Sequence, residues 1–145
     1  MFNAIEPEAT QEVAMKILVG YDGSTAARLA LQLAGKRAGM WGAKIEVVKC
    51  MARKRELEYE DIQRLEHKLA RELHDQCGAD GTQYETHLLI SGRQPGEDLV
   101  QFAEHNKIDE IVIGLKKRSK AGKLLFGSTA QYVILKAPCP VVSVK

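Results

Sequence analysis

Five short apolar runs separated by four stretches of helical periodicity leave this chain very few folds to choose from. The runs are Met15–Tyr21, Lys44–Met51, Thr82–Ile90, Ile108–Gly114 and Val141–Val144. All are short, and all but Thr82–Ile90 are rich in Ile and Val, as buried strands are. Between them lie Ala26–Met40, Arg55–Gln76, Pro95–Asn106 and Ser128–Lys136. The second stretch is highly charged, yet Ile62, Leu65, Leu69 and Leu73 recur at three- and four-residue spacing, the mark of an amphipathic helix covering a sheet. The order β-α-β-α-β-α-β-α-β predicts an α/β fold with a parallel sheet, right-handed crossovers and helices on both faces. In such folds a ligand sits at the carboxyl ends of the strands, where the strand order reverses.

Local punctuation agrees with this division. Asp22-Gly23-Ser24 reads as a tight turn leading to an N-cap at Ser24, and Gly39 and Gly42 mark the exit of the first helix. Pro95 suits the first turn of the third helix, with Leu99, Phe102 and Ala103 facing inward. The mixed polarity of Thr82–Ile90 predicts an edge strand. Residues 1–12 hold Pro7 and show no periodicity, so a loose tail is expected there, ahead of one domain spanning the chain.

Composition excludes several classes. A hydrophobic content of 45% and a charged content of 28% are ordinary for a globular chain, and the formal net charge of +2 does not describe a polycation. No apolar run approaches the roughly 20 residues of a membrane-spanning helix. No basic residue precedes Lys16, against a secretory signal, and a cytoplasmic location is expected. Cys50, Cys77 and Cys139 lack C-x-x-C spacing and are odd in number, which favours buried free thiols over a disulfide framework or zinc site. His67, His74, His87 and His105 show no metal-motif spacing, and His67 and His74 read as a solvated helix surface.

The last third of the chain is the most informative about function. From Ile111 to Lys145 there is no Asp or Glu, but there are Lys116, Lys117, Arg118, Lys120, Lys123, Lys136 and Lys145. A buried strand ending at Gly114, a cationic loop, and a helix opening on Gly127-Ser128-Thr129 gather backbone N–H groups, hydroxyls and positive charge at one helix N-terminus. That is how proteins hold phosphate, although Ser is also an ordinary capping residue. The run Lys116–Lys120 either neutralises a polyphosphate or is a solvated loop. It lacks aromatic interleaving and any recognition motif, so nucleic acid is not an expected partner.

The chain resembles the universal stress protein family over nearly all of Met15–Lys145. The matching pieces are Ile17–Ser24, Gly92 after the third strand, Ile111-Val112-Ile113-Gly114, Gly127-Ser128, and Cys139-Pro140-Val141-Val142, in order and on the right elements. The resemblance implies a five-stranded Rossmann-like sheet of order 3-2-1-4-5 between two helical layers. It also implies frequent homodimers, and two subclasses of which one binds ATP. The family's loop of Gly, two residues, Gly, nine residues, then Gly-Ser/Thr is met by Gly114 and Gly127-Ser128. Its middle glycine is replaced by Lys117, which penalises positive φ but brings an ammonium group within reach of phosphates.

By this resemblance the binding residues are Tyr21, Asp22, Cys50, Gly114, Lys117, Gly127, Ser128 and Thr129. Asp22 lies near base and ribose, Tyr21 flanks the cleft, and the Cys50 backbone meets adenine. The implied ligand is ATP, alone or with Mg2+, in a regulatory stress-response protein with no catalytic residue and at most slow incidental hydrolysis. The alternative is a nucleotide-free dimeric interaction module, its C-terminal strand paired with a twin across a two-fold axis. A P-loop is absent, since Ala121-Gly122-Lys123-Leu124 lacks the required hydroxyl. No G-x-G-x-x-G follows the first strand, against a dinucleotide site. A phospho-receiver would need an Asp after the third strand, where Ile90-Ser91-Gly92 stands instead.

Overall fold

A computed structural model describes residues 14–53, 56–77, 81–116 and 126–145. Strands β1 (Lys16–Gly20), β2 (Lys44–Ala52), β3 (Tyr84–Ser91), β4 (Glu110–Gly114) and β5 (Val141–Val144) alternate with helices α1 (Thr25–Trp41), α2 (Tyr59–Cys77), α3 (Pro95–His105) and α4 (Ser128–Lys136). The strands form one sheet of order β3-β2-β1-β4-β5, and every pairing is parallel. Both faces are covered, which is why the central runs read as continuous hydrophobics rather than as an alternation.

Each face has its own core. Ile17, Val19, Ile45, Val47 and Val112 pack under α1 and α2, meeting Ala30, Leu31, Ala34, Leu69 and Leu73. Leu18, Val48, Ile111 and Ile113 point the other way, against Leu99, Val100 and Ala103 of α3 and Ala130 and Val133 of α4. Ile17, Leu18, Val19, Ile111 and Val112 are fully excluded from solvent. Burying each such side chain contributes about 1.5–3 kcal/mol.

The helix ends follow their expected chemistry with two exceptions. Ser24 caps α1, its Oγ accepting from the Ala27 N–H at 3.1 Å, and Gly42 closes that helix in the left-handed region at φ 63°. Helix α2 begins at Tyr59, later than the charge pattern suggests, and buries only Leu69 and Leu73, so its first turns stand clear of the core. Helix α4 is capped by Gly127 rather than by a hydroxyl residue, with Ser128 as its first helical position. Cys50, Cys77 and Cys139 form no disulfide among the described residues, and each residue is partly rather than fully buried.

The charged residues that are buried sit beside partners. Glu110, 5% exposed, accepts from Arg37 Nε at 2.5 Å and from a terminal nitrogen of the same guanidinium at 2.6 Å. Trp41 stacks over that guanidinium, 4.4 Å from carbon to ring centre. Asp98 accepts from Ser91 Oγ at 2.7 Å. Among the described residues no helix is long and apolar enough to cross a membrane.

One glycine is demanded by packing. A Cβ placed on Gly114 would lie 2.3 Å from the Ala26 carbonyl oxygen, so the end of β4 runs directly beneath the first turn of α1. Neither backbone can yield without moving a whole element. Gly114→Ala is expected to cost about 1–3 kcal/mol of stability, read as a lowered urea midpoint by circular dichroism.

Candidate functional site

The chain reverses its winding between β1 and β4, and a cavity of about 290 Å³ opens there at the carboxyl ends of the strands. Its floor comes from Gly20 and Tyr21 after β1, Val48 and Cys50 of β2, and Ile113 and Gly114 of β4. Pro95 and Leu99 of α3 wall one side, and Thr129 and Ala130 of α4 another. Asp22, Ser24 and Lys116 form a polar rim. Apolar walls with a few placed polar groups are the usual form of a small-molecule site.

The rim is built by turn chemistry. Gly23 takes φ 80°, which a side chain resists, and lets the chain turn sharply out of β1. Asp22 Oδ1 accepts from the Ser24 N–H at 3.0 Å, while its Oδ2 pairs with Lys116 Nζ at 2.5 Å. Partial burial works to raise the Asp22 pKa, but the hydrogen bonds from Lys116 and from Ser24 outweigh it and hold the carboxyl below its ordinary value. Asp22 is therefore an acceptor already neutralised by a neighbouring ammonium.

Tyr21 is 2% exposed. Its hydroxyl donates to Glu72 Oε1 at 2.7 Å and accepts from Gln76 Nε2 at 3.1 Å, so it is committed to α2 rather than to the cavity. Burial, with the Glu72 hydrogen bond behind it, pushes the phenol up. Cys50 is a wall residue. Burial pushes its thiol up to about 12, with the Asp98 carboxylate adding to the effect, and Sγ lies 3.8 Å from the Pro95 carbonyl oxygen. A thiol held protonated is a poor nucleophile at neutral pH.

Helix α4 brings its N-terminus to the chamber. Its first intrahelical acceptor is the Gly127 carbonyl, which takes the Gln131 N–H at 3.0 Å, and no side chain caps the helix. The opening N–H groups thus lack acceptors within the helix, and the helix dipole adds positive character there. A Cβ on Gly127 would meet no described residue within 4 Å, and its φ of −61° suits any residue, so nothing among the described residues requires glycine at this position. Ser128 and Thr129 also line a neighbouring recess of about 190 Å³ beside Gly96 and Tyr132.

Five of the eight residues expected from sequence therefore line the chamber: Tyr21, Asp22, Cys50, Gly114 and Thr129. Gly127 and Ser128 adjoin it through the first turn of α4, and Lys117 lies outside the described residues. Sequence marks Lys116 only as one of a charge run, and its pairing with Asp22 depends on β1 and β4 being neighbours. The apolar walls Val48, Leu99 and Ile113 are indistinguishable in sequence from ordinary core.

Comparison with known proteins fits this architecture. The model of the "Universal stress protein family" matches residues 14–145. A universal stress protein of Thermus aquaticus, encoded 3′ of a sulfhydrylase gene, is 35% identical over 143 residues, covering 89% of this chain and 97% of its own. A universal stress protein structure from Archaeoglobus fulgidus superposes with TM-score 0.74 at 34% identity, covering 92% of this chain and 95% of its own. A structure from the same organism, in complex with dAMP, gives TM-score 0.72 at 32% identity, covering 90% and 98%. The chain belongs to the universal stress protein family.

The Asp22–Lys116 pair has a measurable consequence. A depressed carboxyl pKa gives stability that is present above the ordinary value of 3.8 and is lost as pH falls through the folded-state value. Both side chains are about half exposed, so solvent screening keeps the contribution under about 1 kcal/mol. Asp22→Asn is expected to lower stability by that small amount at neutral pH and to match the parent in acid below the folded-state value, as read from urea titrations at both conditions.

Proposed function

We propose that this chain binds an adenine nucleotide in the chamber between β1 and β4, with ATP as the principal ligand. The observation that carries the reading is the uncapped N-terminus of α4, beside a glycine that packing among the described residues does not require, opening onto a chamber with apolar walls and a neutralised acid at its rim. Val48, Cys50, Leu99 and Ile113 offer a surface for the base. Asp22 accepts a hydrogen bond from ribose or base. The amides of Ser128, Thr129 and Ala130, with Lys116 and Lys117, take the phosphates. The Archaeoglobus fulgidus relative bound to dAMP supports an adenine nucleotide as the ligand class.

The role is regulatory rather than catalytic. Around the chamber the described titratable side chains are Asp22, paired with Lys116, the protonated Cys50, and Tyr21, whose hydroxyl is committed to Glu72 and Gln76, which leaves no free general base among them facing the phosphate end. Mg2+ would enter with ATP rather than through a protein site of its own. The protein would act in the cytoplasm as a homodimer through β5, whose outer edge pairs with no other strand of the described chain. Nucleic acid and membrane have no part in this reading.

Titration calorimetry with ATP, with and without Mg2+, and with AMP tests it. Saturable micromolar binding is expected, weakened about tenfold or more in Gly127→Val, because each hydrogen bond to a charged phosphate contributes about 1.5–3 kcal/mol. The Gly127→Val fold should stand, since the added side chain meets no described residue and weakens the helix cap by only about 1 kcal/mol. Absence of heat up to millimolar nucleotide overturns the proposal and favours the nucleotide-free dimeric module.

A further inference from the structure

Roughly 13 Å back along β2 from Cys50, on the sheet face that α3 covers, a second polar cluster lies apart from the nucleotide chamber. Strand register sets Glu46 of β2 directly opposite Glu85 of β3, with His87 two residues further along β3. One ligand atom from each of these three side chains falls within 4.8 Å of the others. Glu46 is 4% exposed, and its Oε2 lies 2.6 Å from His87 Nε2. Glu85 Oε2 lies 3.9 Å from the same nitrogen. Phe102 of α3 packs against the imidazole, 4.8 Å between ring centres, and fixes its orientation.

An imidazole nitrogen with two carboxylate oxygens is a donor set for borderline divalent metals, whereas Ca2+ and Mg2+ prefer oxygen alone. Ligand bonds of about 2.0–2.2 Å in a tetrahedral shell separate donor atoms by roughly 3.3 Å. The observed 2.6 and 3.9 Å bracket that separation. Most of the adjustment falls on Glu85, whose side chain is 56% exposed and free to move.

The cluster already attracts a cation. Lys44 Nζ sits 2.8 Å from Glu85 Oε1 and 3.5 Å from Glu46 Oε1, but one ammonium faces two carboxylates. Its side chain is 29% exposed and reaches solvent by rotation; parting from the exposed Glu85 costs about 1 kcal/mol or less, and the arriving metal takes the place of the ammonium beside the buried Glu46. A doubly charged ion bound directly to the carboxylates and the imidazole would satisfy the buried Glu46 more fully than the tethered ammonium does.

We propose that Glu46, Glu85 and His87 form a site for one Zn2+ ion, and that Lys44 is the tethered cation the metal displaces. Three protein ligands leave a coordination position for water. The site is independent of the nucleotide chamber and stands or falls separately from it.

The test is calorimetric titration of the untagged, nucleotide-free full chain with Zn2+, alongside Co2+ absorption spectra, in the parent and in Glu85→Gln, His87→Gln and Lys44→Met. One equivalent should bind. Both ligand variants should weaken it by more than about a hundredfold, beyond the roughly 10–100-fold that loss of an outer hydrogen-bond partner costs, and Lys44→Met should tighten it. Bound Co2+ should show visible bands without the near-ultraviolet absorption of a thiolate ligand. Glu85 is exposed, so Glu85→Gln retains the fold even if His87→Gln does not. No saturable binding, equal affinity in the parent and Glu85→Gln, or a thiolate band would overturn the site. An unchanged affinity in Lys44→Met would overturn the role given to Lys44.

Discussion

The approach of the α1 first turn to the end of β4 governs the geometry of this protein. With 2.3 Å between a notional Gly114 Cβ and the Ala26 oxygen, α1 is seated as low on the sheet as a backbone permits. That seating places the Ser24 cap and the Asp22 turn over the β1–β4 boundary, where the winding reverses. It also brings the residues after β4 back past Asp22, so that Lys116 can reach its carboxylate. Any larger residue at position 114 would lift α1 and splay the rim. The same glycine that the family pattern reads as a phosphate-loop residue is thus first a packing residue.

Most of the fold is legible in the sequence because its signals are local. A parallel sheet covered on both faces needs continuous apolar strands, and the alternation of those runs with helical periodicity leaves little freedom in topology. The N-cap at Ser24 and the left-handed exit at Gly42 are legible for the same reason. The start of α2 is not, since charge and periodicity continue through residues that do not touch the core. At the site, Asp22 and the opening of α4 are marked by their residue types, but the cap falls on Gly127 instead of on a hydroxyl. The fate of the Tyr21 hydroxyl was invisible, because Glu72 and Gln76 lie on a helix far along the chain. Histidine spacing likewise says nothing about His87, whose neighbours arrive from the adjacent strand.

Polar burial in this molecule follows a consistent pattern. Glu46, Asp98 and Glu110 are the buried charged residues among those described, and each meets a partner from another element or from the strand beside it. Breaking such a pair leaves an uncompensated charge, which costs more than the pair itself contributes. Arg37 and Glu110 tie α1 to the start of β4, while Asp98 and Ser91 tie α3 to the end of β3. These ties act at opposite ends of the sheet and limit how the helical layers can slide across it.

The position of Trp41 turns the molecule into its own reporter. It is the single tryptophan of the chain, near the C-terminus of α1, whereas the nucleotide chamber adjoins that helix's N-terminus. Its 17 residues at about 1.5 Å each put the indole some 25 Å from the rim. Fluorescence from Trp41 will therefore register unfolding, or loss of the stacked Arg37, while remaining blind to a ligand that merely fills the chamber. A change in Trp41 emission beyond the nucleotide's own absorption would mean that an event at one pole of the sheet had reached the other.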